Sequence, residues 1–290
     1  MMSFSSSQRP VTAGGNGRRV VSCDLTFEVV EPAEIVLQVE VSSSSGNVRD
    51  ERFAVRSSDE PLADVSEHAG PDGARVQVLQ CDPGHLSVSY RAEIDTTDHR
   101  APGGHGVEST DLMRLIYLRP SRYCPSDHLV GFAVSEFGTG APARDRVASI
   151  NNWISTRVGY VAGSSTVHDS AEDTLLTGMG TCRDFAHLGV ALCRAVGIPA
   201  RFTAVYAPGL SPMDFHAVFE TLEDGRWWTH DATMLAPRQS MVRIATGRDA
   251  TDAAFASITR GVATLETVGV TATVGGDLPI DDHSLSVQLP

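Results

Sequence analysis

The sequence predicts an α+β fold in which a strand-rich N-terminal region precedes a helix-containing core. Three observations carry that prediction. Hydrophobic periodicity is two from Arg18 to about Arg119 and becomes 3.6 near residue 140. The second half then reads helix, helix, strand, hairpin, which is the order of an α+β unit. The chain has 290 residues, 41% of them hydrophobic, enough to bury a sizeable core in one large or two medium domains.

In chain order, residues 1–17 are rich in Ser, Gly and Gln and predict a disordered tail. "DLTFEVVE" and "EIVLQVEV" alternate apolar and polar positions, as half-buried strands do. "RVQVLQ" and "LSVSYRAEID" flank "CDPG", a turn signal built on Pro83 and Gly84. Short alternating strands at this spacing predict a β-sandwich-like module over residues 18–110. "HRAPGGHG" (99–106) is Gly-rich and reads as a loop. The core is expected over residues 111–280, with a tail at 281–290.

Within that core, "APARDRVASINNWISTRVGYV" places Val147, Ile150, Trp153 or Ile154, and Val158 on one helical face. "DSAEDTLLTGMG" sets Asp169 and Ser170 before a short helix that Gly178 ends. "TCRDFAHLGVALCRAVGIPAR" begins a longer helix at Cys182. Phe185, Leu188, Leu192, Ala195 and Val196 share a face, Gly197 stands at the left-handed C-cap position, and Pro199 blocks continuation. "ARFTAVYAPG" predicts a strand, and "FHAVFETLEDGRWWTHDAT" a hairpin closed at Asp224-Gly225.

Charge and composition narrow the function. A formal net charge of −13 argues against nucleic-acid or anionic-membrane partners. No stretch of 18 apolar residues predicts a membrane span, and the N-terminus lacks the apolar run of a secretory signal. The five cysteines, Cys23, Cys81, Cys124, Cys182 and Cys193, are odd in number and scattered, which argues against a disulfide framework and predicts a reducing, cytoplasmic setting. No Asp-rich loop with calcium-ligand spacing occurs, and the paired spacing of a zinc site is missing around Cys182, His187 and His216, so neither metal nor other cofactor is expected.

Cys182 stands where a helix begins. The dipole and the free N–H groups of a first turn favour a thiolate and can face a developing oxyanion. Small residues also suit a tight turn, so local sequence leaves both a packed and a reactive Cys182 open. A nucleophilic cysteine needs a base and a group to orient it. With a two-residue turn at Asp224-Gly225, Val218 faces Asp231 and His216 faces Thr233. His216 and Asp231 then share one face as diagonal cross-strand neighbours, about 7–8 Å apart between backbones and within side-chain reach. His230 points to the other face and reads as structural. His187 lies about 140° around the helix from Cys182 and reads as a packed residue. Asp184, in the first turn, complements the helix dipole.

These three blocks, "GMGTCRDFAHLGVALCRAVGIPARFTAVY", "DFHAVFE" and "WWTHDAT", resemble those of the transglutaminase-like superfamily, a branch of the papain-like thiol enzymes. The resemblance covers roughly residues 115–275, and the strand-rich N-terminal half is similar to that region of bacterial members. It implies a central helix packed on an antiparallel sheet and a catalytic triad of Cys182, His216 and Asp231. "DATM" departs from the Asp-Pro-Thr-Asn found in many members. Bacterial members resemble hydrolases more often than crosslinkers. The resemblance therefore implies a cysteine protease or amidase acting on a peptide or protein substrate, with an amine acyltransferase or a non-catalytic binding module as alternatives.

Overall fold

The computed structural model describes residues 17–58, 60–62, 64–95 and 110–289. The tail assigned to residues 1–17 (Gly17 apart) and the Gly-rich 99–106 segment lie outside them. Strands β1 (Arg18–Leu37), β2 (Asn47–Ser57), β3 (Glu60–Pro61), β4 (Val65–Ala69), β5 (Arg75–Cys81) and β6 (Gly84–Asp95) come first. Helices α1 (Thr110–Ile116), α2 (Val130–Phe137) and α3 (Ala143–Arg157) follow, then β7 (Gly159–Tyr160), α4 (Ala171–Thr177), β8 (Met179–Gly180) and α5 (Cys182–Ala195). Strands β9 (Ala200–Tyr206), β10 (Phe215–Glu223), β11 (Arg226–His230) and β12 (Val242–Gly247), helix α6 (Ala250–Ala253) and strand β13 (Ala256–Val274) complete the order.

The first sheet is built on β1. Its alternate residues Val21, Cys23, Leu25, Phe27 and Val29 are buried, as period-two patterning requires. Over Arg18–Val29 it pairs with β6, and over Ala33–Leu37 with β5. One strand serving two partners along the same edge turns the sheet at Pro32, so the β2–β6 and β4–β5 wings diverge. The sandwich-like module expected from sequence is thus a single curled sheet of seven strands. Its seventh strand is β13, which pairs with the other edge of β1 from Arg19↔Val274 to Leu37↔Ala256. The sequence reading groups residues 256–274 with the core segment. The pairing assigns them to the first sheet instead, because β1 offers a free edge over almost its whole length.

The second sheet has the order β11-β10-β9-β12, all antiparallel. Helix α5 packs on it, and residues Asp184 to Arg194 are all buried. Sequence marks one apolar face, but α5 packs against α2, α3, α4 and the sheet, so that its polar Asp184, His187 and Arg194 are buried as well. Its C-terminus closes in a Schellman motif. Ile198 N donates to Cys193 O at 2.9 Å, Gly197 N donates to Arg194 O at 2.9 Å, and Gly197 has φ +80°. Buried Arg194 then caps neighbouring carbonyls, donating to Ala200 O, Arg119 O and Arg248 O.

The two sheets share a core. Phe202, Tyr206, Val242 and Ile244 of the second sheet cluster with the interior of the first. Tyr206 Oη donates to Val39 O at 2.7 Å. Asp72, from the turn between β4 and β5, accepts from Arg201 at 2.8 Å and from Thr246 at 2.6 Å. The 281–289 segment packs as well: Asp281 pairs with buried Arg238 at 2.8 Å, and Val287 bridges to Thr229.

Candidate active site

Helix α5 starts at Cys182 because its N-terminus is doubly capped. Thr181 N donates to Asp184 Oδ2 at 2.8 Å, and Asp184 N donates to Thr181 O at 3.0 Å. Asp184 is 1% exposed. Its carboxylate also accepts from the Thr181 and Ser165 hydroxyls and from Arg183. Burial opposes its ionisation, and these donors outweigh burial and hold the carboxyl below its ordinary range. Sequence assigns Asp184 to the helix dipole alone. Its larger part is to fix the turn that aims Cys182, and it allows no side chain at Gly180, where a Cβ would stand 2.7 Å from Asp184 Cβ.

The hairpin has the expected register. The ladder runs from Phe219↔His230 to Glu223↔Arg226. Its turn takes positive φ at Asp224 (50°) and Gly225 (75°), the type I′ geometry that matches strand twist. His216 therefore projects beside Asp231, one residue past the end of β11. His216 Nε2 and Asp231 Oδ2 are 2.9 Å apart, and both residues are almost fully buried. Asp231 Oδ1 accepts from Thr233 N at 2.9 Å and from its hydroxyl at 2.7 Å. Thr233 thus locks the carboxylate so that one oxygen is left for the imidazole. Asp-x-Thr is an Asx-turn pattern and could have been read from "DAT".

Cys182 is half-buried, and its Sγ lies 4.0 Å from Phe215 O at the start of β10. His216 Nδ1 is buried and has no hydrogen-bond partner, and the group it faces electrostatically is the Cys182 thiol. Burial by itself would make His216 harder to protonate. The Asp231 carboxylate and Cys182 outweigh it and push the imidazole up to about 10. Asp231, although buried, is held below its ordinary range by His216 and Thr233. Both shifts have one meaning: this enclosed pair favours an imidazolium against a carboxylate. The structure thus brings together all three residues singled out from sequence.

The two other histidines weighed from sequence, His187 and His230, serve packing instead. His187 is fully buried between Tyr123 and Phe202, and its Nε2 accepts from Ala250 N at 3.1 Å. Burial drives it down to about 3, so it is neutral. His230 stacks on Phe219, meets the Thr221 hydroxyl at 2.9 Å and is likewise driven to about 3 by burial. Among the described residues, no group of three or more His, Cys, Asp or Glu side chains is arranged to hold a metal ion. No helix among them is long and apolar enough to cross a membrane. All five cysteines are free, and burial pushes Cys23 and Cys124 up to about 12 and Cys81 to about 11.

Sequence reasoning missed one further neighbour of Cys182. β7 and β8 pair in parallel, with Tyr160↔Gly180 and Val161 N donating to Gly180 O at 3.0 Å. This sets Tyr160 beside the turn that leads into Cys182, and the Cys182 thiol and backbone act on its phenol electrostatically. A two-residue strand has no periodicity, so no local signal marks it.

The family model of the transglutaminase-like superfamily matches residues 133–232, the stretch that carries Cys182, His216 and Asp231. A crystal structure from Cytophaga hutchinsonii, described as a "putative cysteine protease", is 36% identical with a TM-score of 0.80, over 93% of this chain and 96% of that one. An uncharacterized protein of Mycobacterium leprae is 30% identical over 148 residues, 47% of this chain. The match spans about half (52%) of that curated relative's length.

Proposed function

This chain belongs to the transglutaminase-like superfamily, and on that premise we propose that it is a thiol hydrolase, a cysteine protease or amidase with Cys182 as nucleophile. The observation that carries the reading is the unpartnered Nδ1 of His216, turned to Cys182 while Asp231 holds Nε2 at 2.9 Å. In this reading the Cys182 proton already rests on His216, whose imidazolium the Asp231 carboxylate favours, and the thiolate attacks an amide carbonyl carbon. The C=O π pair moves onto oxygen, beside the Cys182 backbone N–H at the head of α5. Collapse expels the amine, which leaves with the proton from the imidazolium. The thioester is then hydrolysed by a water that His216 deprotonates. Asp231 keeps the ring in the tautomer and orientation this cycle needs and stabilises the imidazolium. The likeness to the Cytophaga hutchinsonii protein supports peptide hydrolysis over transfer to an amine.

A peptide library, incubated with and without a primary amine and read by mass spectrometry, tests this. Cleavage products that disappear in Cys182→Ala are the expected result. Amine-tagged products in place of cleavage would make the protein an acyltransferase. No product of either kind, from protein whose Cys182 alkylates readily, would overturn both readings.

A further inference from the structure

Oxyanion holes commonly pair two donors, and the Cys182 backbone N–H at the head of α5 supplies one. The geometry points to the Tyr160 hydroxyl as the second oxyanion donor, a catalytic residue of the same site. This rests on the thiol-enzyme reading above.

Three features of the fold carry it. The Val161 N to Gly180 O bond fixes Tyr160 across from the turn that delivers Cys182, two residues later. The Tyr160 ring lies against buried Phe185, in the first turn of α5, with centroids 5.9 Å apart. At that turn the Cys182 backbone N–H and thiol both act electrostatically on the phenol. A carbonyl oxygen arriving at that N–H therefore meets the Tyr160 hydroxyl as its other neighbour. Tyr160 is also 44% exposed, so it is reachable from solvent. Burial, with the charges at Cys182 and Asp214 adding to it, pushes the phenol up to about 12. It stays a proton-bearing donor across the physiological range. In the attack step the sulfur lone pair forms the C–S bond and the carbonyl π pair moves to oxygen. Tyr160 keeps its proton and gives only a hydrogen bond. When the tetrahedral adduct collapses, the pair returns to the C=O and the leaving group departs.

Two reactions of Cys182 separate this role from simple thiol positioning. Iodoacetamide alkylates a thiolate without forming an oxyanion, whereas p-nitrophenyl acetate acylates it through one. In Tyr160→Phe, which keeps the ring on Phe185, acylation is expected to fall about 10²–10³-fold, the loss typical of one oxyanion donor, with alkylation unchanged. Equal losses in both reactions would overturn the proposal in favour of a positioning role, and full acylation would overturn it outright. Wild-type protein whose Cys182 alkylates but never acylates would refute the enzyme reading itself, and the Tyr160 role with it. The three failures are distinguishable, and an unchanged melting temperature in Tyr160→Phe guards against a folding artefact.

Discussion

Adding one methyl group at Gly189 should weaken both the fold and the site. Gly189 lies in the middle of α5, where alanine is intrinsically better by about 1 kcal/mol. An alanine Cβ there would stand 2.6 Å from Phe219 Cδ1 and Cε1 and 3.0 Å from Cγ. Carbon atoms pack best at about 3.5–4.0 Å, so helix and ring must separate by roughly 1 Å. The ring has nowhere to go: Phe219 is fully buried and stacks on His230 at 5.1 Å. Overpacking of this kind costs about 1–3 kcal/mol, which the helix propensity only partly offsets, leaving a net loss of about 0–2 kcal/mol. The functional effect should be larger than the stability effect. α5 carries Cys182 and β10 carries His216, so the strand-to-helix spacing is also the thiol-to-imidazole spacing. A misplacement of about 1 Å can cost on the order of 10²-fold in rate. The assay is urea unfolding of Gly189→Ala beside its rate of Cys182 acylation by p-nitrophenyl acetate. A variant more stable than wild type with an unchanged rate would refute the reasoning, because it would show that Gly189 does not set the α5–β10 spacing.

Four further outcomes follow from the structure. Iodoacetamide near neutral pH should label Cys182 before Cys23, Cys81, Cys124 or Cys193, which are buried and whose thiols burial pushes upward; peptide mapping that finds another cysteine first would remove the nucleophile. Asp231→Asn should slow acylation about 10²–10⁴-fold, and combining it with His216→Ala should add little to the worse single loss, since the residues act as a unit. The sign of the pH effect also follows. Asp231 raises His216 to about 10, so the wild-type rate should hold until a basic limb near that pH, and Asp231→Asn should move the limb downward. His216 stabilises the fold fully below its unfolded value of 6.5, a contribution that fades as pH rises through about 10. Glu220→Gln should cost about 3–5 kcal/mol in urea unfolding, because it strips buried Arg201 and Arg243 of the carboxylate that bonds both at 2.8 Å. Burial opposes ionisation of Glu220, but the two guanidinium groups hold its carboxyl far below 4.5. Its stabilisation is complete above pH 4.5 and lost as pH falls through that low folded value, so a Glu220→Gln difference that vanished already at pH 5 would contradict the network.

What the sequence determined by itself is whatever short-range stereochemistry settles. Asp224-Gly225 admits the positive φ angles of a two-residue turn. That turn fixes the parity of every residue in the hairpin, which puts His216 and Asp231 on one face before any tertiary contact is considered. Gly197 with Pro199, and the turn leading into Cys182, bound α5 in the same local way. One apolar face of α5 was also legible, though not its enclosure on the others, because burial depends on what the other elements cover. Tertiary structure alone decided the long-range pairings. β13 adds to β1 across more than 200 residues of chain, on an edge whose availability no local pattern reports. Tyr160 reaches Cys182 through a parallel pair two residues long, below the length at which periodicity exists. The meeting of Cys182 with His216 belongs to this class too. Each was readable as a residue poised for chemistry, but the distance between them is set by the packing of α5 on β10, through contacts such as that of the Gly189 backbone with the Phe219 ring. The charge state of His216 comes last in that chain of causes: burial and the Asp231 carboxylate pull it in opposite directions, and only the folded geometry gives the carboxylate the upper hand.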